Sequence, residues 1–207
     1  LHAILPLLRL PFARFEREAE RLAGCLQAAC AVARGDRVLL YTQNSPQFVI
    51  GYYAILRAGA VVVPVNPMNL GEELRHLAAD SGARVAITTQ DLLDRIRPLL
   101  DGPAPLLDRL VVGAYSDYLE VPTDLPVPDF VAAPRRPLDG PRMIAWHDAI
   151  AAGPEPGPIA VGPDDLAVLP YTSGTTGQPK GCMHTHRNVL YQVLASGQWA
   201  NAKSDNV

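Results

Sequence analysis

Eleven residues carry the densest chemistry in this chain: Tyr171-Thr172-Ser173-Gly174-Thr175-Thr176-Gly177-Gln178-Pro179-Lys180-Gly181. Thr172, Ser173, Thr175 and Thr176 offer four hydroxyl groups, and Lys180 adds a compact point charge suited to phosphate. Gly174, Gly177 and Gly181 let the backbone turn and bring its N–H groups to an anion. A short apolar run, Leu166 to Pro170, precedes the stretch, and Thr185-His186-Arg187-Asn188 after it reads as a helix start. Strand, hydroxyl-rich loop, lysine, helix is an order that suits a polyphosphate. It is not the common phosphate loop G-x-x-x-x-G-K-[ST], because Pro179 stands before Lys180 and Gly181 follows it.

The elements that must position this loop alternate at short spacing. Phe15, Ala19, Leu22, Leu26 and Ala29 recur at helical intervals, which predicts a helix over Phe12 to Ala33 that stops near Gly35. Arg14 and Glu18 form an i,i+4 pair on its solvent side. Arg37 to Tyr41 reads as a buried strand. Ser45 and Pro46 open a helix to Ala58 that is apolar nearly all round, as a core helix would be. Val61-Val62-Val63 lies in a second strand, Ala60 to Val65, covered on both faces. Asn69, with Glu72, predicts a capped helix carrying Leu70, Leu74 and Leu77 and ending at Gly82, with His76 off its apolar face. A third strand holds Val85-Ala86-Ile87. A short helix from Asp91 ends near Pro98, and a fourth apolar run spans Leu107 to Val112. The fold class is therefore α/β, with a mostly parallel sheet and helices on both faces.

From 113 to 162 prolines break up the chain, and this segment reads as irregular but packed on the body, with one helix over Arg142 to Ala151. Asp165 is a candidate to hold Lys180 or the loop backbone, with a turn carboxylate as the plainer reading. Thr185 is a candidate cap for a helix running to about Trp199.

Composition bounds the partners. The chain has 207 residues, 48% of them hydrophobic and 19% charged, with a net charge of −3. That balance suits a globular protein and gives no electrostatic footprint for nucleic acid. No apolar run approaches the roughly 20 residues of a membrane span. Cys25, Cys30 and Cys182 have no C-x-x-C spacing, which fits three reduced thiols of a cytoplasmic protein. His184 and His186 alternate without an accompanying carboxylate or cysteine cluster, so they do not make a metal motif.

The loop Tyr171 to Gly181 resembles the phosphate-binding signature of the adenylate-forming superfamily: acyl-CoA synthetases, peptide-synthetase adenylation domains and luciferases. Met183-His184-Thr185-His186-Arg187-Asn188 is similar to its fatty-acid–CoA ligase members. Gly35-Asp36-Arg37-Val38, Ile55 to Pro67 and Leu70 to Ala86 are similar to the family's early core.

The resemblance implies that residues 1–207 are an amino-terminal portion of the AMP-binding domain. The Y-G-x-T-E segment, the ribose-binding Asp, the hinge and the lysine of the mobile lid domain cannot be assigned here. It also implies ATP, Mg²⁺, a fatty or aryl carboxylic acid and coenzyme A as ligands. Thr172, Ser173, Gly174, Thr175, Thr176 and Lys180 would hold the β- and γ-phosphates, Thr172 would touch Mg²⁺, and Gly177 and Gly181 would allow close approach. No residue is identified as catalytic. A peptide-synthetase or luciferase-like enzyme, or a non-catalytic nucleotide-binding module, remains the alternative.

Overall fold

The computed structural model describes residues 10–119, 126–172 and 178–199. Among them a seven-stranded sheet has the order β5-β4-β3-β1-β2-β6-β9, with every neighbouring pair parallel except β6 and β9. The strands are β1 (Arg37–Tyr41), β2 (Val61–Val65), β3 (Val85–Thr89), β4 (Arg109–Gly113), β5 (Met143–Ala145), β6 (Leu166–Val168) and β9 (His184–Thr185). Two more, β7 (Tyr171–Thr172) and β8 (Lys180–Gly181), form a separate pair. The α/β class expected from the alternating pattern is the one observed.

Residues of alternate parity enter two cores, as the period of a strand requires. Val38, Leu40, Val62, Val85 and Ile87 pack under α1 (Phe12–Ala28), α2 (Pro46–Arg57) and α6 (Trp146–Ala152). Leu39, Tyr41, Val63, Val65 and Ala86 pack under α3 (Gly71–Ser81) and α4 (Leu93–Ile96). Both faces being covered, the central strands are apolar throughout rather than alternating. The remaining helices are α5 (Asp129–Ala132) and α7 (His186–Trp199).

Several local expectations change. Helix α1 ends at Ala28 rather than Ala33. Ala31 takes φ 54°, and Val32 N–H bonds back to the Leu26 carbonyl at 2.9 Å, so the chain turns before Gly35. Glu18 is not on a wet side. It is buried, accepting from Arg14 Nε at 2.7 Å and from Tyr118 Oη at 2.6 Å, while Trp146 Nε1 donates to the same phenol at 3.0 Å. Burial first, and the adjoining carboxylate second, push the Tyr118 phenol well above its ordinary pKa, so it remains a donor. Helix α2 is capped by Ser45, whose Oγ accepts from Phe48 N–H, but it is not enclosed: Val49 and Tyr53 are exposed, and Tyr53 meets Phe15 edge to face at 5.2 Å.

Asn69 does not cap α3. Leu70 occupies that position, and Glu73 rather than Glu72 reaches back to accept from Leu70 N–H at 2.8 Å. Gly82 does end α3, at φ 68°. Helix α4 starts at Leu93 rather than Asp91 and ends near Pro98 as expected, and the chain then tightens into a 3₁₀ segment over Arg97–Leu100. Met143–Ala145 is a strand rather than the start of a helix, because β4 offers an open edge and the pairs Leu110↔Met143 and Val112↔Ala145 form on it. In the proline-rich segment Tyr115, Tyr118 and Trp146 are buried; its residues 120–125 lie outside the described ones.

Helix α1 and the segment just after α6 touch backbone to backbone. A Cβ on Gly24 would lie 1.8 Å from the Pro154 carbonyl oxygen. Gly24→Ala should therefore destabilise the chain by about 1–3 kcal/mol, the cost of overpacking against atoms that cannot rotate away. Urea unfolding would measure this, and an unchanged midpoint would contradict the contact.

Candidate functional site

The candidate loop is an excursion from a hairpin. Strand β6 pairs with β2 through Val62↔Val168, and Leu169 N–H donates to the Val62 carbonyl at 2.8 Å. The chain then leaves the sheet at Pro170 and returns as β9, antiparallel to β6 through Leu166↔Thr185 and Val168↔His184. Because β6 runs parallel to β2, the excursion emerges at the carboxyl edge of the sheet, where open α/β folds bind ligands.

The neck of the excursion is a two-residue antiparallel ladder, Tyr171↔Gly181 and Thr172↔Lys180, extended by Cys182 N–H to the Pro170 carbonyl at 2.8 Å. Thr172 and Lys180 are thus direct cross-strand partners, both exposed. Directly opposed side chains start about 5 Å apart at Cβ, so the Thr172 and Lys180 side chains leave the ladder from neighbouring positions. Lys180 forms no ion pair with a described residue. Of the remaining predicted residues, Ser173, Gly174, Thr175, Thr176 and Gly177 lie outside the described residues. Gly181 is described, and its lack of a side chain serves the protein's own packing. A Cβ there would lie 2.9 Å from Leu169 Cδ1 and 3.2 Å from Tyr171 Cζ.

Asp165 does not hold Lys180. Its carboxylate accepts from Arg34 Nη2 through both oxygens, at 2.9 and 2.7 Å, and from Gly162 N–H at 2.6 Å. The Gly162 N–H and then the Arg34 guanidinium hold this carboxyl below the usual carboxylate pKa. Its backbone carbonyl accepts from His186 N–H at 3.0 Å, which ties the start of α7 to the sheet. Thr185 caps that helix as expected: its Oγ1 accepts from Asn188 N–H at 3.3 Å, and Asn188 Oδ1 accepts from Thr185 N–H at 3.0 Å. Arg187 adds a two-pronged pair with Asp164 at 2.9 and 3.1 Å.

Two residues near the neck escape a reading of periodicity. His76 was legible only as lying off the apolar face of α3, and Asp80 only as its neighbour one turn on. His76 Nε2 is 3.0 Å from the Pro179 carbonyl, and Tyr171 Oη donates to Asp80 Oδ2 at 2.6 Å. Their i,i+4 spacing on the solvent side of α3 was the available clue.

Among the described residues, no cluster of three His, Cys, Asp or Glu could hold a metal ion, and no helix is long and apolar enough to cross a membrane. The Cys25 and Cys30 thiols are buried, Cys182 is exposed, and none is in a disulfide.

A mostly parallel sheet with helices on both faces matches the N-terminal domain of adenylate-forming acyl-CoA ligases. The AMP-binding enzyme family model matches residues 7–207, and the chain belongs to that family. It is 32% identical over 191 residues to a long-chain-fatty-acid–CoA ligase of Escherichia coli O6:H1, covering 87% of this chain and 33% of that protein. A Bacillus subtilis long-chain-fatty-acid–CoA ligase is 32% identical, with 92% of this chain and 34% of the relative covered. The crystal structure of the anthranilate CoA ligase AuaEII in complex with anthranoyl-AMP superposes with a TM-score of 0.71 at 27% identity, over 89% of this chain and 31% of that one. The chain thus spans about a third of the length of the curated relatives it matches.

The Asp165 knot predicts a pH dependence. A carboxyl whose folded pKa is depressed contributes stability above its unfolded value of about 3.9, and that contribution disappears as pH falls through the folded pKa. Denaturant midpoints should hold steady from pH 7 to 5 and fall below about pH 4. Asp165→Asn should be less stable at pH 7 with a shallower acid fall. Identical acid profiles for the two proteins would remove Asp165 from the account.

Proposed function

We propose that this chain supplies the ATP phosphate-binding portion of an acid–thiol ligase. In the reaction, a carboxylate attacks the α-phosphorus of ATP to give acyl-AMP and pyrophosphate, and the thiol of coenzyme A then attacks the acyl carbon, forming the thioester and releasing AMP. The observation that carries this reading is the Thr172↔Lys180 pairing at the neck of the loop. It sets Thr172 beside Lys180, which forms no ion pair with a described residue, at the carboxyl edge of the sheet. Adenylation needs charge neutralisation on the leaving pyrophosphate, and an exposed lysine supplies that without taking part in bond making.

Thr172, Ser173, Gly174, Thr175, Thr176, Gly177, Lys180 and Gly181 form the proposed phosphate loop. Thr172 would offer a single oxygen to Mg²⁺. That fits a cation that arrives on the nucleotide and keeps its waters, rather than one caged by protein carboxylates. Names of the relatives, which include long-chain-fatty-acid–CoA ligases and a rice 4-coumarate–CoA ligase, favour a fatty or aryl acid as the substrate class. Residues 1–207 form the amino-terminal part of the AMP-binding domain in this reading, and turnover requires parts that the aligned third does not contain.

Calorimetric titration of MgATP into the 207-residue chain tests the loop. Binding is expected, and Lys180→Ala should weaken it by about ten-fold or more, the loss of a charge-assisted contact. Equal affinity in the two proteins would rule out the phosphate role. Carboxylate-dependent exchange of pyrophosphate into ATP should be absent from the same chain, and measurable exchange would show that residues 1–207 suffice for adenylation.

A further inference from the structure

The β7–β8 ladder has only two residues in each strand and stands apart from the seven-stranded sheet. A ladder that short has little stability of its own. Its orientation is set from one side, by α3. Tyr171, next to Thr172, donates from Oη to Asp80 Oδ2 at 2.6 Å. Pro179, next to Lys180, accepts through its carbonyl from His76 Nε2 at 3.0 Å. A carbonyl can only accept, so Nε2 carries the hydrogen. The two tethers come from consecutive turns of a single helix, and that helix is seated by Leu74, Leu77 and Ala78 in the core.

The tethers also interlock. The Tyr171 ring meets the His76 ring edge on, with centroids 6.4 Å apart at 85°. On its other side Tyr171 lies over Gly181, where no Cβ intervenes. Desolvation, then the hydrogen bond to Asp80, push the Tyr171 phenol well above its usual pKa, so it remains a donor across the working range. One strand is thus held through its first side chain, and the other through the carbonyl preceding it.

We propose that His76 and Asp80 are positioning residues that hold Thr172 and Lys180 in register for phosphate, a role that rests on the phosphate-binding reading above. Neither residue touches the bound group. They keep the neck ordered before the ligand arrives, so that binding does not have to order it.

Amide hydrogen exchange and calorimetry on the 207-residue chain test this separately. His76→Phe keeps a ring and loses the donor; Asp80→Ala loses the acceptor. In each, exchange of the peptide spanning 171–182 should accelerate about ten-fold while that of β1 and β3 is unchanged. Affinity for inorganic tripolyphosphate with Mg²⁺ should fall by about ten-fold. His76→Gln and Asp80→Asn, which retain a donor and an acceptor, should recover most of both losses. Lys180→Ala should lose affinity without faster exchange. Unchanged exchange in both disrupting variants, or faster exchange with undiminished affinity, overturns the positioning role. Failure of the unaltered chain to bind tripolyphosphate would overturn the phosphate reading, and the role with it, whatever the exchange shows.

Discussion

The placement of the candidate site depends on one edge pairing, that of β6 against β2. Strand β6 is three residues long, and its register on β2 is set at Val62↔Val168, with the Leu169 N–H to Val62 carbonyl bond as the last tie before the chain departs. Everything at the carboxyl edge follows from it. The return strand β9 adds to β6, α7 is capped from the end of β9, and the β7–β8 neck is the length of chain left between departure and return. Strand β2 can serve as this template because it is already buried on both faces: Val62 faces the α1–α2 side, and Val63 and Val65 the α3–α4 side. A template enclosed in two cores cannot slip by one residue without turning its apolar side chains to the wrong layer, and both layers are filled.

Much of this frame was legible in the sequence, since β-branched and aliphatic runs of strand length are a strong signal and glycine stops are local chemistry. The strands Arg37–Tyr41 and Val61–Val65 and the left-handed stop at Gly82 needed no tertiary information. The misreadings share a cause, which is a partner distant in sequence. Glu18 looks like half of a surface pair until Tyr118, a hundred residues on, donates to it. Met143–Ala145 looks helical until β4 presents an edge. Helix α1 looks longer than it is because alanines and cysteines give no stop signal, and the turn comes from Ala31 adopting a left-handed conformation.

The candidate site divides along the same line. Its chemistry was legible, because hydroxyls, glycines and a lysine within eleven residues are a local pattern. The pairing of Thr172 with Lys180 was not, because a loop's closure register depends on where its ends are anchored. Asp165 proves to be a turn carboxylate, accepting from Gly162 N–H, and its alternative partner Lys180 is excluded for the same reason. From sequence it is a carboxylate near a lysine, whereas Arg34, at the turn before β1, reaches it first. His76 and Asp80 belong to an element a hundred residues from the loop, and only the sheet order brings α3 beside the neck.

Helix α7 shows what the described frame leaves without cover. None of its residues is buried; Val189 alone packs partly against the core, while Leu190, Tyr191, Val193, Leu194 and Trp199 are exposed. A helix of 14 residues has marginal stability in water without tertiary packing, so this one leans on its first turn. That turn is unusually well tied, by the Thr185–Asn188 exchange of hydrogen bonds, by Arg187 on Asp164, and by His186 N–H on the Asp165 carbonyl. The ties hold the helix start to the β6–β9 hairpin and leave its apolar side chains outward. The same hairpin therefore positions the phosphate-loop neck on one side and an uncovered helix on the other, and any surface that came to cover α7 would be brought beside that neck.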